Sequence, residues 1–141
     1  MKWNYQCPFC GVWGNVDWER SDATFTCHSC QRNHAPPGPL EQRSAYVDSH
    51  EWPQEIEEAV TLVKGVNCTV PGCSTHYQTL DHRVAWSKGG RTSVDNLFPM
   101  CDSHNRSKGD SDYETWLMEH TRHELKVPIT LKKALLPPRR T

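Results

Sequence analysis

The sequence contains few large apolar side chains. Leu, Ile, Val and Phe together account for 24 of its 141 residues, which is low for a protein that folds on a hydrophobic core alone. The formal net charge at neutral pH is only −1. Because disordered chains combine low hydrophobicity with high net charge, this balance argues against disorder. We therefore expect a small folded protein that draws part of its order from another source.

Long apolar runs are also missing. No stretch approaches the roughly 18 apolar residues of a membrane span, and the first residues form no hydrophobic signal region. We thus expect a soluble, intracellular (cytoplasmic) protein with no membrane partner. Disulfides are rare in that reducing environment, and the seven cysteines could not all be paired. Seven cysteines and eight histidines in a chain of this length indicate metal ligation instead.

Two pairs of closely spaced cysteines lie near the N-terminus: Cys7, Cys10, Cys27 and Cys30. Their spacing is typical of a four-thiolate zinc site. A redox dithiol would need only one pair, so we favour zinc. Alternating apolar and polar residues on both sides of residues 20–22 predict a β hairpin between the pairs. The segment resembles the zinc ribbons of nucleic-acid-processing proteins, and we predict a ribbon over residues 1–34. Whether it only supports its neighbour or also binds DNA or a protein stays open.

The next two segments differ in composition. Residues 35–39 read Ala-Pro-Pro-Gly-Pro, which cannot continue a helix or a strand, so we predict a linker over residues 35–53. Apolar residues then recur at helical spacing from Ile56 to Val63, and Gly65 ends the pattern. This predicts a helix over about 54–64, whose apolar face is better explained by core packing than by a partner.

A second set of metal-ligand residues follows that helix: Cys68, Cys73, Cys101 and His104. Three thiolates and one imidazole complete a tetrahedral structural zinc site. His76 is an alternative fourth ligand. We prefer His104 because it lies three residues after Cys101, on what should be the first turn of a helix. The sequence therefore predicts two structural zinc ions.

The loop closed by this second site carries an ordered set of short motifs. Asp81-His82 comes first, then Gly89-Gly90, Asn96-Leu97 and, after Cys101, His104-Asn105-x2-Lys108. In this order the motifs closely resemble those of the HNH endonucleases, also called ββα-metal or His-Me finger nucleases. The resemblance covers about residues 68–109. It implies a small, metal-stabilised α+β fold, with a nuclease domain over residues 54–125 and flanking helices.

The resemblance also implies a role for each motif residue. His82 would be the general base, and its unperturbed pKa near 6.5 leaves it largely neutral at physiological pH. Asp81 and Asn105 would hold a hard divalent cation, Mg²⁺ or alternatively Mn²⁺. Asn96 would position the loop, and Lys108 would meet the phosphate. Many relatives have a histidine where this chain has Asn105, so we interpret it as an HNN variant. His104 likewise replaces a more usual cysteine.

Strand geometry adds one expectation about the two adjacent acid–base residues. Neighbours in a regular strand point to opposite faces. If Asp81 and His82 serve one site, we expect the backbone there to twist or bulge.

Basic residues lie on both sides of the motif and are candidate DNA contacts: Arg83, Lys88, Arg91, Arg106 and Lys108. For Arg106 a solvated helix face is an equal alternative. Tyr113, Trp116 and Leu117 then recur at helical spacing, with Asp110 or Ser111 as cap. Residues 126–141 carry five basic and no acidic side chains. This basic tail would bind DNA or a partner, or be disordered.

These observations predict an Mg²⁺-dependent HNH endonuclease that hydrolyses DNA phosphodiester bonds. One active site per chain favours nicking of one strand. The alternatives are a zinc-finger nucleic-acid-binding protein without catalysis, or a subunit of a DNA-processing machine, such as one that packages phage DNA, docked through the ribbon. The enzyme is favoured because a binding finger has no need for an acid–base pair.

Overall fold

The computed structural model describes residues 2–17 and 24–125. It is a small α+β fold whose elements, in chain order, are β1 (Lys2–Gln6), β2 (Trp13–Asp17), β3 (Phe25–Thr26), β4 (Asn33–His34), β5 (Tyr46–Val47), α1 (Gln54–Lys64), β6 (Thr79–His82), β7 (Thr92–Ser93), β8 (Leu97–Met100), α2 (Asp102–Lys108) and α3 (Tyr113–Leu125). A short 3₁₀ turn, Trp86–Lys88, lies between β6 and β7. The predicted hairpin tip at residues 20–22 and the basic tail at 126–141 lie outside the described residues. No described helix has the length and apolar character needed to cross a membrane.

The N-terminal strands that the structure describes form two short antiparallel pairs. The described part of β2 pairs antiparallel with β1, with Trp3 opposite Val16, and β3 pairs with β4. Each pairing spans one cysteine turn, whereas the single hairpin between the two turns stays a prediction. The reason for the observed pairing lies in the turn itself. The Cys7 carbonyl accepts the Gly11 N–H, and Gly11 has a φ of +76°, so the chain reverses at once behind the cysteines.

The segment predicted as a linker contributes to the largest sheet. Residues 35–39 form neither helix nor strand, as expected. Further along, β5 lies between β1 and β7 in a four-stranded sheet of order β2-β1-β5-β7. A strand of two residues is too short to leave a periodic pattern in the sequence. The division into domains stays a prediction, but this sheet combines strands from the ribbon, the linker and the predicted nuclease segment.

The main core lies between this sheet, α1 and the β6–β8 pair. Trp3, Val47, Ile56, Val60 and Leu97 are each at most 1 % exposed and belong to one apolar cluster. The helix has the predicted bounds: it follows Pro53, and the chain leaves it at Gly65 with a φ of +88°. Because one core contains residues of β1 and β8, the ribbon and the later segment pack as neighbours.

A β-hairpin followed by a helix forms the second half of the fold. Strands β6 and β8 pair antiparallel, from Thr79 opposite Met100 to His82 opposite Leu97, and α2 follows directly. Helix α3 packs against α2, with the Trp116 indole N–H donating to the Ser107 hydroxyl at 3.0 Å. Helix α3 begins at Tyr113, whereas a cap at Asp110 or Ser111 would start it earlier. The Trp116 N–H donates to the Asp112 carbonyl. The expected ββα finger is therefore present.

Candidate active site and metal centres

The four N-terminal cysteines converge on one point. Sγ of Cys7 lies 3.8 Å from Sγ of Cys30, and Sγ of Cys10 lies 3.7 Å from Sγ of Cys27. A tetrahedral ion with bonds of about 2.3 Å to sulfur would separate its ligands by about 3.8 Å. Backbone N–H groups of Cys30 and Ser29 lower the pKa of Cys27 to about 6, which favours the thiolate. The cluster is compatible with zinc and with a zinc ribbon.

The second cluster contains three thiols and one imidazole: Cys68, Cys73, Cys101 and His104. Nδ1 of His104 lies 3.4 Å from Sγ of Cys68 and 3.3 Å from Sγ of Cys101. Zinc with bonds of about 2.3 Å to sulfur and 2.0–2.1 Å to nitrogen would give about 3.6 Å. The alternative residue, His76, instead places Nδ1 2.8 Å from the Tyr77 carbonyl. This cluster therefore fits zinc, and it joins the loop before β6 to the start of α2.

His82 lies at the end of β6 and is 3 % exposed. Its Nε2 is 2.9 Å from Oγ1 of Thr92. The Thr92 hydroxyl donates its own proton to the Ser49 carbonyl, so it can only accept from His82. This assigns the ring hydrogen of neutral His82 to Nε2 and leaves the lone pair on Nδ1. The ring is thereby held with one nitrogen ready to take a proton.

Two further rings surround His82. His50 stacks on it with centroids 5.1 Å apart and planes inclined by 29°, and Trp86 meets both histidines edge-on. Burial lowers the pKa of His82, and the charges of His50 and Lys108 lower it further, while Asp81 opposes them. The site thus favours a neutral imidazole. No sequence pattern indicated His50, Trp86 or Thr92, because none belongs to a motif and His50 lies in the predicted linker.

Asp81 pairs with a buried cation. Its Oδ2 lies 2.9 Å from Nζ of Lys108, whose side chain is 1 % exposed. Its Oδ1 accepts the backbone N–H of His82 at 2.9 Å. The strand ladder runs through both residues without an extra residue, so of the two distortions expected if both residues serve one site, a twist or a bulge, the bulge is absent. Regular pairing sends the two side chains to opposite faces, and the helix brings Lys108 to the Asp81 side.

Asn96 braces the loop between β6 and β8. Its Oδ1 accepts the Val84 N–H at 2.9 Å, and its Nδ2 donates to the carbonyls of Val84 and Arg91 at 3.1 and 2.8 Å. Gly90 packs against the same group, since a Cβ there would lie 1.8 Å from the Val84 carbonyl oxygen. These contacts fit a positioning role for Asn96.

Comparison with protein families agrees with this geometry. The family model described as HNH endonuclease matches residues 66–111, the stretch that contains β6, β8, α2 and the second cluster. Residues 66–111 form an HNH domain. Such a domain suggests nuclease activity on a nucleic acid. Neither the curated proteins nor the solved structures gave a match.

The remaining predicted residues of the HNH domain have different surroundings. Asn105 is half-buried on α2, one turn before Lys108 and so on the same side of the helix. Arg83 pairs with Glu114 of α3. Arg106 and Lys88 are exposed, and the Arg91 guanidinium lies over the Tyr46 ring. Carboxylates therefore engage Arg83 and Lys108, and an aromatic ring engages Arg91.

Proposed function

We propose that this protein is a divalent-metal-dependent endonuclease that hydrolyses DNA phosphodiester bonds with His82 as its general base. The observation that carries the proposal is a buried imidazole in an HNH domain, with its tautomer fixed by Thr92 and its pKa lowered by burial. A protein that only bound DNA would gain nothing from a histidine held in this way.

Hydrolysis of a phosphodiester needs a base for water, positive charge near the phosphate and a rigid frame. Nδ1 of His82 would accept the water proton, and the Nε2 bond to Thr92 would hold the ring while it does so. Asp81 lies on the other face of the strand and would stabilise the resulting imidazolium through its charge alone, which opposes the lowering of the His82 pKa. Asn96 would keep the surrounding loop in place through its bonds to Val84 and Arg91.

The residues near Asp81 suit a hard cation. The Asp81 carboxylate and the Asn105 amide supply oxygen donors, which Mg²⁺ and Mn²⁺ prefer. Lys108 now neutralises Oδ2 of Asp81, so an ion bound through this oxygen would take the place of the Lys108 ammonium. A bound ion would neutralise charge developing on the phosphate and the leaving oxygen. We assign Asp81 and Asn105 as its ligands.

The two cysteine clusters would each hold a structural zinc ion. Their donor separations match a zinc tetrahedron, and the apolar core is small, so metal binding would supply folding free energy. With one HNH domain per chain, the expected products are single-strand nicks.

Nicking of supercoiled plasmid by the purified protein with Mg²⁺ tests the proposal. His82→Ala should abolish the reaction because it removes the imidazole that Thr92 orients. His76→Ala is the matched control, since His76 is exposed and lies outside the site, and it should leave nicking unchanged. Equal inertness of wild type and His82→Ala with Mg²⁺ and with Mn²⁺, on folded zinc-loaded protein, would favour the DNA-binding alternative.

A further inference from the structure

A cleft of about 300 Å³ opens beside the His82 site. It is lined by residues from the predicted linker and from the loop that Asn96 braces: Tyr46, Val47, Asp48, Trp86, Gly89, Gly90 and Arg91. Its volume is at the lower end of small-molecule pockets, which span about 300–1,000 Å³. A single planar ring system matches that size, whereas a base-paired duplex does not.

Aromatic faces and a guanidinium dominate the cleft and its rim. The Arg91 guanidinium carbon lies 4.1 Å from the centre of the Tyr46 ring and 5.6 Å from that of Trp13. Trp13 is 40 % exposed and Trp86 is 41 % exposed. Large exposed aromatic rings beside an arginine plane are surfaces on which nucleobases stack.

Two features select a base over a phosphate inside the cleft. Asp48 also lines it, and a carboxylate repels phosphate but accepts hydrogen bonds from the exocyclic amino groups of bases. Arg91 is exposed at the edge, where its charge can meet the neighbouring backbone. The cleft therefore combines aromatic and carboxylate groups in a base-sized interior with a cationic edge.

The cleft is also next to the proposed catalytic base. Trp86 lines it and meets the His82 ring with centroids 5.9 Å apart. A nucleotide whose base stacked in the cleft would place its backbone near His82. Tyr46 and Trp13 come from the linker and the ribbon, so this surface extends beyond residues 66–111.

We propose that this cleft holds one unpaired DNA base adjacent to the scissile phosphate, so that the preferred substrate contains single-stranded or locally unpaired nucleotides. This inference rests on the proposed nuclease function. In this proposal Tyr46, Trp86 and Arg91 determine the preference for an unpaired base, and Trp13 supports them from the rim of the cleft.

Binding of short DNA by the zinc-loaded wild-type protein, without added Mg²⁺ or Mn²⁺, tests the inference without cleavage. The probes are a single strand containing 2-aminopurine, whose fluorescence is quenched on stacking, and the same strand in a duplex. Loss of one stacked base lowers affinity between about 5-fold and 150-fold. Tyr46→Leu and Arg91→Ala should weaken single-strand binding within that range, with duplex affinity changed much less and quenching lost. Tyr46→Phe, which keeps the ring, should retain wild-type binding.

Phe9→Leu is the matched control. Phe9 is 52 % exposed and carries Arg32 at 4.8 Å over its ring, away from the cleft. An effect of Phe9→Leu as large as that of Tyr46→Leu would overturn the inference, as would equal wild-type affinity for single strand and duplex. If Tyr46→Leu fails to fold, Arg91→Ala and Trp13→Leu decide the same question. Plasmid nicking by wild type is measured separately, so nicking without single-strand preference would refute the cleft alone.

Discussion

Gly90 offers a sharp test of the loop that holds the HNH motif together, because its missing side chain leaves no room for a methyl group. A Cβ at this position would lie 1.8 Å from the Val84 carbonyl oxygen and 2.9 Å from Nδ2 of Asn96. Favourable contact begins near 3.5 Å, so Gly90→Ala must displace the Val84 backbone by roughly 1.5 Å. That displacement breaks the bond from Asn96 Nδ2 to the same carbonyl.

The cost can be worked out from these contacts. Overpacking typically costs about 1–3 kcal/mol, and each hydrogen bond lost around Asn96 adds about 1 kcal/mol. Since Asn96 is only half-buried, water can replace part of what is lost. We therefore count the loss of one or two of its three hydrogen bonds. The free energy of unfolding of Gly90→Ala should therefore fall by about 2–5 kcal/mol, much of the total for a small domain.

Guanidinium unfolding of the zinc-loaded protein measures this loss. Gly14→Ala is the matched control, because the atoms nearest to a Cβ at Gly14 belong to the Tyr5 side chain and lie at ordinary contact distances, the closest at 3.7 Å. It should change stability by less than about 1 kcal/mol. If Gly90→Ala and Gly14→Ala unfold at the same denaturant concentration, the described contact between Gly90 and Val84 is wrong, and with it the brace at Asn96.

Three further predictions concern metal, charge and pH. Cys101→Ala should lower bound zinc from about two ions to about one by elemental analysis and unfold the region around α2; unchanged zinc content would exclude Cys101 as a ligand. Lys108→Met should reduce the free energy of unfolding by about 1–3 kcal/mol, because Oδ2 of Asp81 is then buried without its cation while the rest of the side chain stays partly exposed; urea unfolding tests this, with exposed Lys88→Met as control. Burial lowers the pKa of Lys64 to about 8, so between about pH 8 and pH 10 the unfolded chain holds more protons. The free energy of unfolding of the wild type should therefore rise across that range by about 1 kcal/mol relative to that of Lys64→Met. Urea midpoints that change equally with pH in the two proteins would contradict this.

The sequence predicted what depends on local spacing. Both cysteine clusters follow from short intervals between ligands, and the bounds of α1 follow from a helical repeat that Gly65 ends. Strand pairing was harder to predict, because neither a turn behind a pair of ligands nor the partner of a short strand follows from local periodicity. The Gly11 turn makes β1 the partner of β2, and the regular ladder through Asp81 and His82 needs no bulge.

The surroundings of His82 could not be predicted for the same reason. His50 is 32 positions away along the chain, and it reaches the ring because β5 lies beside β7 in the sheet. Thr92, which fixes the tautomer, belongs to β7, a strand of two residues without a motif. No pattern within one segment could indicate either contact.

The four-stranded sheet makes the N-terminal segments part of the surroundings of His82. Strand β5 connects β1 to β7, and Trp3 of β1 is 1 % exposed in the core that also contains Leu97 of β8. Removing the first strands would uncover that core and release one edge of β5, on which the position of His50 depends. Ser49, which accepts the Thr92 hydroxyl proton, directly precedes His50. The ribbon and linker therefore stabilise both groups that hold the His82 ring, so we expect an isolated 66–111 fragment to lose the imidazole geometry even with its own zinc bound.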